Sequence, residues 1–220
     1  MNPKKLLCLS DVEAPAVNSP RVRERFPGLD GVISCGDLPW HYLEYVASML
    51  DLPLYYVQGN HIFDIEDGEG EVRHHPQGAT NLHRQVIYAS ELDLILAGIE
   101  GSLRYNQREY QYSQWQMWLM VFGLVPRLLI NRVRFGRYLD VFVTHAAPTG
   151  IHDEDDQAHR GVDAFRWLIK HFKPRLHLHG HIHLYNPLKA RETPLGDTRV
   201  INCFGYRVIS LDPAQSSDKA

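Results

Sequence analysis

The chain has 220 residues, 44% hydrophobic and 22% charged, with a net charge of −3. This is ordinary globular composition, long enough for one domain with a sizeable core. It favours neither broad nucleic-acid binding nor a membrane partner, and no apolar run is long and uninterrupted enough to span a bilayer.

Met1 to Lys5 leads into an apolar run only a few residues long, so no signal peptide is expected. Cys8, Cys35 and Cys203 each sit in an apolar strand-like run without CxxC spacing, which predicts three buried free thiols in a reducing, cytoplasmic setting. One domain is expected over 1–212, with a helical insertion near 104–137 and a disordered tail over 213–220. The compositional outlier is histidine, with 13 residues, five of them between positions 171 and 183.

The first predicted strand is 4–10, followed by Asp11-Val12-Glu13. In extended backbone the carboxylates at i and i+2 leave on one side. A short helix is expected over 19–26. The second strand, 31–35, ends in Gly36-Asp37, and the spacing of Tyr42, Val46, Met49 and Leu50 predicts a helix over 41–51. The third strand, 54–57, ends in Gly59-Asn60-His61. A long polar loop is expected over 64–81, with His74 and His75 in it and solvated.

Strands are expected over 85–89 and 92–99, then a turn over 101–106. The spacing of Trp115, Trp118, Leu119 and Phe122 predicts a helix over 114–125, cut by Pro126. Arg127, Arg132, Arg134 and Arg137 form a basic cluster, either a solvated helix flank, an anion-facing rim or a partner surface. The apolar 115–130 segment is a candidate homodimer interface. The fourth strand, 139–143, leads to Thr144-His145, and an amphipathic helix is expected over 162–172. The fifth, Leu176-His177-Leu178-His179, turns at Gly180 into His181-Ile182-His183. Strands over 198–204 and 207–211 close the chain.

An isolated H-x-H is as well explained by a polar strand rim as by metal binding. Five strand ends, however, present Asp11 with Glu13, Asp37, Asn60 with His61, His145, and His181 with His183. All are N or O donors with no thiolate among them, which excludes a structural cysteine–zinc site and suits Mn, Fe, Zn or Mg. One ion cannot use so many ligands, whereas two sharing a carboxylate can.

In this order, Asp11-x-Glu13, Gly36-Asp37, Gly59-Asn60-His61, His145 and Gly180-His181-x-His183 resemble the signature of the calcineurin-like metallophosphoesterases, over residues 6–183. The resemblance implies a four-layer αββα sandwich of two mixed β-sheets flanked by helices. It implies two divalent ions bridged by Asp37. Asp11, His183 and the Glu13 position would complete one, and Asn60, His145 and His181 the other. His61 would be the general acid. Mn²⁺ is the first expectation for the metal, with Fe, Mg or Zn as alternatives.

Two cations so placed activate a shared water and clamp the phosphoryl oxygens. Arg104 and Arg160 are candidates to neutralise a phosphate oxygen. Two positions depart from the pattern. Glu13 stands where the family usually has His, and Ile62 where it usually has an acid, so Asp64 is a candidate to orient His61.

The expected activity is binuclear-metal hydrolysis of a small phosphodiester, a nucleotide or cyclic nucleotide among the candidates, with Tyr105, Tyr110 and Tyr112 available to stack on a base. The alternatives are a phosphomonoesterase, a nuclease, or a metal- or protein-binding module with little turnover.

Overall fold

The computed structural model describes residues 2–61, 65–66, 72–186 and 188–213. Ile62 and Asp64 lie outside the described residues, so the orientation of His61 by Asp64 is not addressed.

In chain order the elements are β1 (Lys4–Ser10), α1 (Val22–Arg25), β2 (Gly31–Ser34), α2 (Trp40–Leu50), β3 (Leu54–Tyr56), β4 (Ile65–Glu66), β5 (Val72–Arg73), β6 (Ala79–Asn81), β7 (Gln85–Ala89), β8 (Leu94–Ile99), β9 (Ser102–Leu103) and β10 (Gln111–Tyr112). After these come α3 (Gln114–Phe135), β11 (Val141–Thr144), α4 (Asp163–Phe172), β12 (Leu176–His179), β13 (Glu192–Leu195), β14 (Thr198–Asn202) and β15 (Gly205–Leu211).

Two mixed sheets flanked by helices form an αββα sandwich, as the resemblance implies. The first sheet has the order β15-β1-β2-β3-β6 and the second β13-β14-β12-β11-β8-β7. Within the first, β1, β2, β3 and β6 are parallel; within the second, β14, β12, β11 and β8 are parallel. Only the edge strands β15, β13 and β7 run antiparallel. The carboxyl ends of the parallel strands therefore gather on one side of each sheet, the usual place for a site in open α/β sheets.

Three apolar clusters correspond to the three layer contacts. Leu6, Cys8 and Ile33 of the first sheet meet Leu96, Val143 and Leu178 of the second. One residue out of phase, Leu7, Leu9 and Val32 face α1 and α2. Ile95, Ala97 and Phe142 face α3 and α4. This two-residue alternation with both faces buried explains why the strands read as unbroken apolar runs. All three cysteines are buried and unpaired between the sheets.

Several sequence expectations change. The segment read as one polar loop over 64–81 contains the β4–β5 ladder and the edge strand β6. β13 was not expected; its Pro194 cannot donate to a ladder, and on an edge strand it need not. The turn expected over 101–106 contains β9.

The helix expected to stop at Pro126 continues to Phe135. Proline deprives the Phe122 carbonyl of its partner, but Phe122 and Pro126 are both exposed, so water can replace the lost bond. The buried face of α3 is Met117, Met120, Val121, Leu124 and Leu128, not Trp115, Leu119 and Phe122.

Candidate metal centre

Each site residue sits just past the end of a parallel strand. The ends of β1 and β2 are tied together, as Asp11 N donates to Gly36 O at 3.1 Å and Ser10 Oγ to the same oxygen at 3.2 Å. Asp11, Asp37 and His181 have φ of 67°, 54° and 64°. The left-handed region is costly for such residues and is tolerated where surrounding structure over-determines it, commonly at functional sites.

The glycines act by admitting neighbours. A Cβ on Gly59 would lie 1.9 Å from Asp37 Oδ1, and one on Gly180 would lie 1.8 Å from Ser10 Oγ and 2.7 Å from Asp11 Oδ2. At the Gly180 turn it is therefore His181 that takes the left-handed conformation, while Gly180 makes room for the end of β1.

Asp37 is the hub. His61 donates its backbone N–H to Asp37 Oδ1 at 2.9 Å, and its Nδ1 lies 2.6 Å from Oδ2. His145 Nε2 lies 3.3 Å from the same Oδ2 and 3.0 Å from Asn60 Oδ1. Asp37, His145 and His181 are buried, and each offers a ligand atom within 4.8 Å of the others.

These donors suit a divalent cation. His145 Nδ1 is held by the Cys35 carbonyl at 2.8 Å and His181 Nε2 by the Ala158 carbonyl at 2.8 Å. An imidazole that donates one N–H to a backbone carbonyl presents its other nitrogen as a ligand, the usual outer-shell arrangement for metal-binding histidine. The presented nitrogen of His145 faces two oxygen acceptors, Asp37 Oδ2 and Asn60 Oδ1, a position that either a proton on the ring or a cation can fill.

The electrostatics favour a positive charge at His145, a proton that a metal would displace, and a neutral ring at His181. Burial works against ionised Asp37, but His145 and His61 overcome it and hold the carboxyl well below its ordinary range. Burial likewise opposes a charge on His145, yet the Asp37 carboxylate raises it to about 9. Burial lowers His181 to about 4, leaving it neutral and free to ligate.

Asp11 accepts the His181 backbone N–H at 3.1 Å on both oxygens, and His183 Nε2 lies 3.7 Å from Asp11 Oδ1. Glu13 accepts from Asn18 Nδ2 at 3.1 Å and faces His41 Nε2 at 3.7 Å. Its contacts are thus with the loop after β1 and the start of α2 rather than with Asp37.

Arg104 and Arg160 line one cavity of about 460 Å³, together with Tyr105 and Tyr112. Tyr105 connects it to the centre, its hydroxyl accepting from Asn60 Nδ2 at 3.1 Å. That contact leaves Asn60 Oδ1 facing His145, and no motif in the sequence announced it.

His177 and His179 face the helix layer. His177 stacks near Phe142 and bonds Thr144 at 2.8 Å, and His179 bonds His152 at 2.8 Å. A second group, Glu154, Asp156 and His159, is more exposed. Its His159 ring lies 5.2 Å from that of His181.

No protein-family model and no curated protein matches the chain. Solved structures do. One superposes with a TM-score of 0.61 at 14% identity, over 96% of this chain and 99% of its own. TT1561 of Thermus thermophilus gives 0.56 at 15% identity over the same shares. Vacuolar Protein Sorting 29 from Cryptosporidium parvum gives 0.46 at 11%, over 96% of this chain and 87% of its own. The chain shares the fold of the first two along essentially its whole length.

Proposed function

We propose that the chain is a metal-dependent phosphoesterase, with phosphodiesters as its substrates. The observation that carries this reading is the convergence on Asp37 of two ring nitrogens, His61 Nδ1 and His145 Nε2, with His181 beside them. In this reading Asn60, His145 and His181 hold one ion, Asp11 and His183 with Glu13 hold a second, and Asp37 is shared. Bound divalent ions supply Lewis-acid stabilisation of phosphoryl oxygens and a nucleophile usable at neutral pH.

The chain's own residues supply the rest. The His61 side chain is 51% exposed, and its hydrogen bond to Asp37 raises its pKa, which favours the protonated form that a general acid needs. It gives that proton to the leaving oxygen as the P–O bond breaks. Arg104 and Arg160 at the cavity pair with the substrate phosphate, and Tyr105 and Tyr112 offer aromatic surface to a nucleotide or cyclic nucleotide.

The test is hydrolysis of bis-p-nitrophenyl phosphate beside p-nitrophenyl phosphate, on metal-stripped protein with Mn²⁺, Mg²⁺, Fe²⁺ or Zn²⁺ restored and Asp37→Ala as blank. Metal-dependent diester turnover, absent in the variant, is expected. Monoester turnover alone would overturn the substrate class.

A second reading, a binding module of little turnover, is favoured by the position of Glu13 against Asn18 and His41. Under it metals bind and neither ester is hydrolysed. Glu13→His separates the two roles of that residue, since a changed metal content or preference marks it as a ligand and an unchanged one removes it from the set.

A further inference from the structure

α3 turns an apolar face outward as well as inward. Trp115, Leu119, Phe122, Ile130 and Val133 are 67, 52, 46, 61 and 90% exposed, and Leu129 is exposed too. At about 100° per residue these positions and Pro126 fall within roughly 60° of one line along the helix. The stripe therefore runs the whole length of α3, about 33 Å for its 22 residues.

Charge is segregated onto the same element. From Tyr110 to Leu139 there are four arginines and no Asp or Glu, in a chain whose net charge is −3. Arg137 is paired with Asp93 and Asp140. Arg127, Arg132 and Arg134 are exposed and form no ion pair with any described residue; Arg132 and Arg134 lie over the Tyr138 and Phe135 rings. By helical geometry Arg127 and Arg134 flank one side of the stripe and Arg132 the other. Indoles gather at this surface as well. Trp118 packs on Phe122 and Trp167 with ring centroids 5.3 and 5.6 Å apart, so three of the four tryptophans lie here.

We propose that α3 is an interfacial helix that seats the protein on an anionic lipid surface, its stripe entering the acyl boundary and its arginines pairing with headgroup phosphates. No helix among the described residues is long and apolar enough to cross a membrane, so α3 would lie in the interface plane. A second copy fits less well. α3 offers no carboxylate, so a two-fold packing of α3 on α3 would cover its unpaired arginines without supplying a counter-charge. Headgroups supply one.

The test is flotation of the full chain with vesicles of phosphatidylcholine alone, or mixed with phosphatidylglycerol, with tryptophan emission recorded in parallel. Co-flotation and a blue shift are expected only with phosphatidylglycerol, weakening as salt is raised. Arg127→Glu with Arg134→Glu, and separately Leu119→Ser with Val133→Ser, change exposed positions and leave the core intact. Each pair is expected to weaken binding about tenfold or more, with thermal melts confirming the fold. Absence of binding to anionic vesicles, or equal binding to phosphatidylcholine alone, overturns the proposal. So does a dimer in sedimentation that the serine variant converts to monomer without vesicle binding. None of these readouts uses turnover, so the outcome is independent of the phosphoesterase reading.

Discussion

The Nδ1 of His61 and the Oδ2 of Asp37 lie 2.6 Å apart, and the backbone N–H of His61 bonds the other oxygen of the same carboxylate. One residue is thus fixed at two points by the group at the middle of the candidate centre. The imidazole is oriented from within the centre, and its outer face remains open to solvent.

From this the roles of the two residues separate experimentally. His61→Asn should lower phosphodiester turnover by roughly 10²–10⁴, the usual worth of a general acid, with metal content unchanged. Asp37→Ala should lose both. Elemental analysis beside the rate assay decides: an equal loss of metal in His61→Asn would make His61 a ligand rather than the acid.

Gly59 should tolerate no side chain. Its Cβ would lie 1.9 Å from Asp37 Oδ1 and 2.6 Å from the Asp37 nitrogen, so backbone as well as carboxylate must move. Gly59→Ala is expected to abolish metal binding at Asp37 and to cut turnover by about a hundredfold or more, as misplacement by about 1 Å does. Gly123→Ala is the control. Nothing lies within 4 Å of that Cβ, the residue is helical, and a gain of about 0.5–1 kcal/mol in urea melts is expected.

Tyr105→Phe removes the hydroxyl that holds the Asn60 amide. Outer-shell partners of this kind are typically worth about 10–100-fold in metal affinity or activity. Weaker metal binding by isothermal titration is expected, with the fold intact. Unchanged affinity and unchanged rate would mean that the Asn60 orientation is set by His145 alone.

The strand-end residues were legible because parallel strands deliver their carboxyl ends to one side of a sheet, so five short blocks far apart in sequence converge. Side-chain direction was less legible. The alternation in Leu176-His177-Leu178-His179 reads as a strand, but only the second sheet's placement sends His177 against Phe142 and Phe165 and His179 against His152. Glu13 shares spacing with Asp11, yet Asn18 and His41 draw it elsewhere. In α3, apolar residues occupy two opposite faces, and sequence pattern cannot say which is buried. Trp115, Leu119 and Phe122 have the better spacing, while Met117, Met120 and Val121 are the ones β8 and α4 cover.

Acid should loosen the fold through histidines that the fold holds neutral, the partly buried His83 and the buried His177. His83 accepts the Glu100 N–H at 3.2 Å, stacks on Tyr112, and is lowered by burial to about 4; burial takes His177 to about 3. A neutral ring means that the 3.5 Å approach of His83 Nε2 to Glu100 is not an ion pair above that pH. The unfolded chain takes up a proton near pH 6.5, whereas the folded one refuses it until about pH 4 at His83. Stability from this group is therefore complete above pH 6.5 and is lost as pH falls towards 4. Glu100, whose carboxyl burial raises, works in the opposite sense. The comparison of variants isolates the histidine. Between pH 7 and pH 5 the parent should lose about 2 kcal/mol more than His83→Gln in urea melts of metal-free protein. Equal losses in the two proteins would mean that His83 is protonated in the fold and paired with Glu100 after all.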